Sequence, residues 1–290
     1  MSRYIAFIVS LAFFAMNAMA SPLGPDGAAG SSLPGKFVWF DLATENPQSA
    51  RAFYGAVFGW KFRDVEGAPA SYALIENESG KVAGLFQHTR PSGATVGARW
   101  LSLISVRDPA KVAELVRMRG GEVLVAPKAI PGRGTHAVFR DPDGAVFGVL
   151  AAEGGDPLDT PVEEGDVFWL DLFVPDPAKA AAFYAQIAGY DVAVGEVAGR
   201  PRTLLSTNGI ARAGIAHLPA GAARAAWLPY ILVDDVPATL ERALKAGGKV
   251  VMGPRGDLLE GRLAVIADRE GGVIGIVNWV NDDAAPGAPR

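Results

Sequence analysis

The chain contains no cysteine. That absence excludes a disulfide framework, a thiol nucleophile and a lipid anchor on cysteine. Histidine is nearly as scarce: His88, His136 and His217 are all there is, too few for two independent histidine-rich sites. Neither sign of charge dominates, with 27 Lys and Arg against 31 Asp and Glu, a net of −4. No basic stripe is present to neutralise phosphates, so nucleic acid is not an expected partner. A G-x-S-x-G elbow for a serine nucleophile is missing. Gly132-Arg133-Gly134 is too short for a phosphate-cradling loop and precedes a strand rather than a helix. The longest apolar run, from Tyr4 to Met16, falls short of the ~20 residues that a membrane-spanning helix needs.

That same run follows Arg3 and precedes Ala18-Met19-Ala20, a small-x-small site. Residues 1–20 therefore read as a secretory signal peptide cleaved after Ala20, giving a periplasmic or secreted product with no membrane attachment after cleavage. The remaining chain, half apolar and 20% charged, suits two domains of ordinary size. Residues 21–35 read as a flexible N-terminal segment. Residues 152–165, acidic and rich in Gly and Pro without periodicity, read as a linker, and 281–290 as a loose tail. The domains are then 36–151 and 166–280.

Residues 37–54 laid on 167–184 match Trp39 with Trp169, Asp41 with Asp171, Leu42 with Leu172, Pro47 with Pro177, and Phe53-Tyr54 with Phe183-Tyr184. Each half repeats again more faintly. Helix starts are marked by Asn46-Pro47, Asp108-Pro109, Asp176-Pro177 and Asp235-Val236-Pro237. An Asx side chain there accepts from the free N–H groups of the first turn, and a proline loses no bond. Ala50, Phe53, Tyr54 and Val57 follow at helical spacing, so core packing is their expected role, as it is for Phe183 and Tyr184. Strand-like runs such as SYALIE and KVAGLFQ come next, then turns at Asp141-Pro142-Asp143-Gly144 and Glu270-Gly271-Gly272. The expected fold is α+β: four βαβββ modules paired into two domains with curved mixed sheets.

The tandem unit, with its D/N-P-x-x-A-x-x-F-Y helix start and its D-P-D-G-A-V-F hairpin, resembles the vicinal-oxygen-chelate superfamily of glyoxalases, extradiol dioxygenases and bleomycin-resistance proteins over nearly all of residues 36–280. It looks most like the tandem glyoxalase-like branch. The resemblance implies a cup in each domain, and in active members one divalent metal held there by His, Gln or Glu. The first-strand ligand positions fall on Trp39, Leu101, Trp169 and Leu228, and the last-strand positions on Gly84, Gly148, Gly214 and Gly275. None of these offers a donor, so no metal and no other cofactor is expected. Family members pair modules within or between chains, which implies a monomer or a homodimer.

Residues two apart on a strand face one way, so Asp41 and Asp171 follow Trp39 and Trp169 into the cups. Each carboxylate is a candidate general base, a polar anchor, or a structural group at the module seam. Arg51, Arg99, Arg140, Arg202 and Arg212 are candidate partners. Trp39, Trp169, Trp100, Tyr72, His88 and His217 are candidate ligand-binding residues, read against core filling for the aromatics and against local hydrogen bonding for the histidines. Binding of a small apolar or aromatic molecule is the expected function. A metal-independent isomerase, hydrolase or lyase with an aspartate base stays open, as does a metal-dependent glyoxalase or dioxygenase with relocated ligands.

Overall fold

A computed structural model describes residues 23–66, 72–88, 97–197 and 200–280. The expected signal peptide and tail lie outside these residues.

Every module starts the same way for the same reason. The first contains β1 (Phe37–Thr44), α1 (Pro47–Phe58), β2 (Lys61–Asp64), β3 (Ala73–Glu76) and β4 (Lys81–Gln87). The second contains β5 (Arg99–Ser105), α2 (Pro109–Met118), β6 (Glu122–Ile130), β7 (Gly134–Arg140) and β8 (Val146–Ala152). Asn46 and Asp108 cap the two helices by accepting backbone N–H bonds, each followed by proline in the first turn. The third module has β9 (Val167–Val174), α3 (Pro177–Ala188), β10 (Asp191–Val197), β11 (Arg200–Thr207) and β12 (Ile210–His217). The fourth has β13 (Ala226–Leu232), α4 (Val236–Lys245), β14 (Lys249–Met252), β15 (Leu263–Ala267) and β16 (Val273–Val277). Asp176 and Asp235 cap α3 and α4 in the same way. Gly59 and Gly189 stop α1 and α3 in the left-handed region, at φ 71° and 73°, a conformation that disfavours any residue with a Cβ.

Each pair of modules makes one mixed eight-stranded sheet. The orders are β2-β3-β4-β1-β5-β8-β7-β6 and β10-β11-β12-β9-β13-β16-β15-β14. The modules join where β1 meets β5, and β9 meets β13, antiparallel; β4, β8, β12 and β16 run parallel to the first strand of their own module.

The helices of the two domains pack on each other, α1 against α4 and α2 against α3. One hydrophobic core therefore runs through both domains, from Leu42, Phe53 and Tyr54 to Leu172, Tyr184 and Trp227. Aromatic rings carry it across the seam: Phe37 lies edge-on to Trp227 at 5.0 Å, and Phe147 to Tyr184 at 5.1 Å. On the other face of each sheet is a smaller separate cluster, one around Trp39, Leu74 and Leu150, the other around Leu228, Tyr230 and Val265. These faces are the two cups.

Residues 23–35, read from sequence as a flexible segment, are tied onto the first domain. Leu23 is buried in the first cup, and Asp156 accepts from Leu33 N and Ser105 Oγ, both at 2.6 Å. The linker is tied as well, through Asp159, whose carboxylate bonds Arg212 and pairs with Lys36. These charge-assisted bonds hold the Asp159 carboxyl below the usual carboxylate range.

Candidate functional site

Alternation along the central strands decides what each cup contains. Asp41 sits opposite Gly84 on one side and Leu101 on the other, while Trp39 sits opposite Leu103. In the second domain Asp171 sits opposite Gly214 and Leu228, and Trp169 opposite Tyr230. The glycines are spaces for their neighbours. A Cβ at Gly84 would collide with the Tyr72 hydroxyl and Asp41 Oδ1, one at Gly214 with Asp171 Oδ1, and one at Gly275 with the Tyr230 ring.

The first cup is full. Trp39 Nε1 donates to Asp41 Oδ1 at 3.0 Å, and Arg133 Nη2 forms a buried ion pair with Oδ2 of the same carboxylate. Arg133 Nη1 donates to the Tyr72 hydroxyl at 3.1 Å. That hydroxyl lies 3.2 Å from both Asp41 Oδ1 and the Leu23 carbonyl, so its one proton serves one of them at a time. Burial works to lower the Arg133 pKa, but Asp41 and Tyr72 outweigh it and hold the guanidinium charged. Burial, then Asp41, pushes the Tyr72 phenol up. Leu23 closes the top, its N–H bonded to the Gly132 carbonyl at 2.9 Å. His136 faces the same cup from β7, 5% exposed, with neither ring nitrogen hydrogen-bonded; burial, then Arg133, lowers its pKa to about 4.

The second cup has the same four residue types, with the tyrosine and the arginine supplied from different places. Trp169 Nε1 donates to Asp171 Oδ1 at 3.2 Å, and the buried Tyr230 phenol, its pKa raised by burial and then by Asp171, lies beside the same carboxyl. The cation is Arg202, whose Nε lies 3.4 Å from Asp171 Oδ1. Leu74 pairs with Gly84 and Leu204 with Gly214, which makes Arg202 the counterpart of Tyr72, two residues earlier on the equivalent strand. Tyr230 by the same reasoning is the counterpart of Leu103. Burial raises the Asp171 pKa, and Arg202, Trp169 and Tyr230 only partly counter it. Leu259, 8% exposed, packs into this cup from the loop before β15, against the cluster of Leu228, Tyr230, Val265 and Val277. Phe168, Trp169, Phe173, Met252, Leu263 and Trp279 are half-buried around it.

Two clefts lie elsewhere. One of about 170 Å³ runs between Arg119, Asp141 and α3, and one of about 200 Å³ lies beside the plug, between Asp26, Arg133 and Gly154. Neither includes a residue of the second cup.

A divalent metal of the kind this fold is associated with does not fit the residues present. Each cup offers one carboxylate, already facing a guanidinium, and the slots opposite are glycine, leucine or tryptophan. Among the described residues no group of three His, Asp or Glu could hold a metal ion.

The structure brings Trp39, Asp41 and Tyr72 together in one cup and Trp169 with Asp171 in the other. Trp100 is elsewhere: it pairs with Leu42, on the helix side, and donates to the Tyr54 hydroxyl at 3.0 Å. His88 and His217 lie at strand ends of different domains, His217 exposed with Nδ1 3.2 Å from the Pro175 carbonyl. Of the candidate arginines Arg202 meets a cup aspartate, while Arg51, Arg140 and Arg212 pair with Asp64, Glu122 and Asp159. Arg133 and Tyr230 were not singled out for the cups from sequence. The one available signal for Arg133 was its place between two glycines in a turn opening a cup strand.

The family described as the Glyoxalase/Bleomycin resistance protein/Dioxygenase superfamily matches residues 36–149, and one described as a Glyoxalase-like domain matches 168–277. "Putative glyoxylase CFP32" of Mycobacterium tuberculosis (strain CDC 1551 / Oshkosh) is 30% identical, over 82% of this chain and 93% of its own length. "Anthracycline biosynthesis protein DauV" of Streptomyces sp. (strain C5) is also 30% identical, over 84% of this chain and 93% of its own. Among solved structures, the Mn(II)-bound glyoxalase from Novosphingobium aromaticivorans superposes with a TM-score of 0.54 at 18% identity, covering 85% of this chain and 83% of that one. The halotolerant catechol dioxygenase BphC gives 0.55 at 14%, covering 85% and 87%. At these identities the structural likeness speaks for the fold alone.

Proposed function

Because the chain belongs to the glyoxalase, bleomycin resistance protein and dioxygenase superfamily in both halves, we propose that it is a tandem cup protein whose second domain binds a small apolar or aromatic molecule without a divalent metal. The observation that carries this is the contrast between the cups. The first is closed over Asp41 and Arg133 by Leu23, whereas the second, with Leu259 packed into it, keeps Trp169, Phe173, Met252 and Trp279 half-buried around Asp171. Aromatic and flexible apolar side chains with a few polar groups beneath them are what small-molecule sites are made of. The names of the relatives, a glyoxylase and an anthracycline biosynthesis protein, accord with small-molecule chemistry. The N-terminal apolar stretch supports a periplasmic or secreted location, which cell fractionation tests.

Native mass spectrometry of protein from its own source, beside the denatured mass, tests the binding reading. An organic adduct that disappears in Trp169→Ala supports it. An excess mass matching one divalent metal, or failure to bind any of a panel of planar aromatic compounds, overturns it.

The raised pKa of Asp171 favours a second reading, an acid-base enzyme in which that carboxyl takes up a proton from the bound molecule. Here Asp171→Asn abolishes turnover while leaving binding intact; unchanged turnover in this variant removes the mechanism.

A further inference from the structure

We propose that the second cup selects an aromatic ligand bearing an anionic oxygen, a carboxylate or phenolate, and that Arg202 is the residue that reads it. The inference rests on the second cup being the small-molecule site.

The two guanidinium groups are spent differently. Arg133 commits both terminal nitrogens inside its cup, Nη2 to Asp41 and Nη1 to Tyr72, and its side chain is 4% exposed. Arg202 is 15% exposed, and its one hydrogen bond is from Nη1 to the neighbouring Pro201 carbonyl at 3.1 Å. Its Nε, buried and 3.4 Å from Asp171, makes no hydrogen bond, and Nη2 meets no acceptor among the described residues. A guanidinium has five N–H donors in a planar fork that matches an oxyanion, so most of Arg202's capacity is unused.

The cation is also placed beside the aromatic surface. The position a Cβ would take at Gly214 lies 3.5 Å from Arg202 Cδ and 3.5 Å from Trp169 Nε1. The arginine stem and the indole edge therefore meet over one glycine, within the span of a single aromatic acid whose ring packs on Trp169 and whose oxygen reaches Arg202. Asp171 stands against an anion here, but burial raises its pKa and Trp169 Nε1 bonds its Oδ1.

Calorimetric titration of the full chain with 2-naphthoate and with its neutral analogue 2-naphthylmethanol tests this. The expected result is naphthoate binding at least about tenfold tighter, a preference that falls below about twofold in Arg202→Gln and survives in Arg202→Lys. Thermal melts show whether both variants fold; if Arg202→Gln does not, retention of the preference in Arg202→Lys and its loss in Arg202→Met carry the test. Equal affinity for the two probes in the wild type, or a preference that persists without Arg202, overturns the assignment and leaves the cup as a binding site. If neither probe binds, the reading of the cup falls and this inference with it.

Discussion

The hydroxyl of Tyr54, on a helix of the first domain, donates to Oδ2 of Asp268 in the second at 3.0 Å, and Tyr184 returns the bond to Asp141 Oδ2 at 2.9 Å. Both aspartates use Oδ1 to hold their own turns, accepting from Glu270 and Gly272 in one case and from Asp143 and Ala145 in the other. One carboxylate thus shapes a hairpin and fastens two domains. Trp100 and Trp227 donate to the same tyrosine hydroxyls at 3.0 and 2.9 Å.

Tyr54→Phe leaves Asp268 Oδ2 and Trp100 Nε1 buried without this partner, which costs about 1 to 3 kcal/mol. Urea denaturation of the variant measures it. A change within about 0.5 kcal/mol, ordinary for a surface substitution, would contradict the latch.

Arg133→Met uncovers a buried carboxylate. With Asp41 and Arg133 side chains only 5% and 4% exposed, removing the cation should cost roughly 3 to 5 kcal/mol. Adding Asp41→Asn removes the stranded charge while keeping an acceptor for Trp39, so the double variant should be more stable than Arg133→Met alone. Chemical denaturation of the single and double variants decides it; a double variant no better than the single would show that packing, not charge, sets the loss.

His136 is held neutral, its pKa lowered from 6.5 to about 4 by burial, then by Arg133 and Lys128, against the pull of Asp41. A depressed histidine pKa means the unfolded chain binds more protons between pH 6.5 and 4. Its contribution is complete above that window and is lost as pH falls through it. Replacing His136 with Leu, which suits the surrounding Ile130 and Leu150, should flatten the stability profile there. NMR titration of the imidazole should find its midpoint near 4; a midpoint near 6.5 would refute the buried placement.

Asp171 has the opposite sign. Its pKa is raised by burial, so the folded state binds its proton more tightly, and its contribution is present below the unfolded value near 3.8 and lost as pH rises through the raised value. The wild type should therefore gain on Asp171→Asn in acid and fall behind it as pH rises toward neutrality. Urea midpoints of the pair from pH 3.5 to 7 measure the crossing; a difference that does not vary with pH rules out this titration.

Much of the fold is local and was legible. Asn46, Asp108, Asp176 and Asp235 accept from the first-turn N–H groups of four helices, and the stripe Ala50, Phe53, Tyr54, Val57 is buried, because capping and helical period act within one or two turns. Strand alternation likewise put Asp41 beneath Trp39 and Asp171 beneath Trp169.

What the chain order could not say is which distant residues complete each carboxylate. Arg133 reaches Asp41 from the second module of its domain, and Arg202 reaches Asp171 from the counterpart of the tyrosine position in the other. Trp100 and Trp39 read alike in sequence, yet strand register sends one to the helix side and the other into a cup. The sequence by itself determined four modules, their caps and their paired aspartates, since each follows from residue type and short-range spacing. Only the tertiary structure decided that Leu23 fills one cup and that Leu259 packs into the other, because closing a sheet face depends on contacts between residues far apart in the chain.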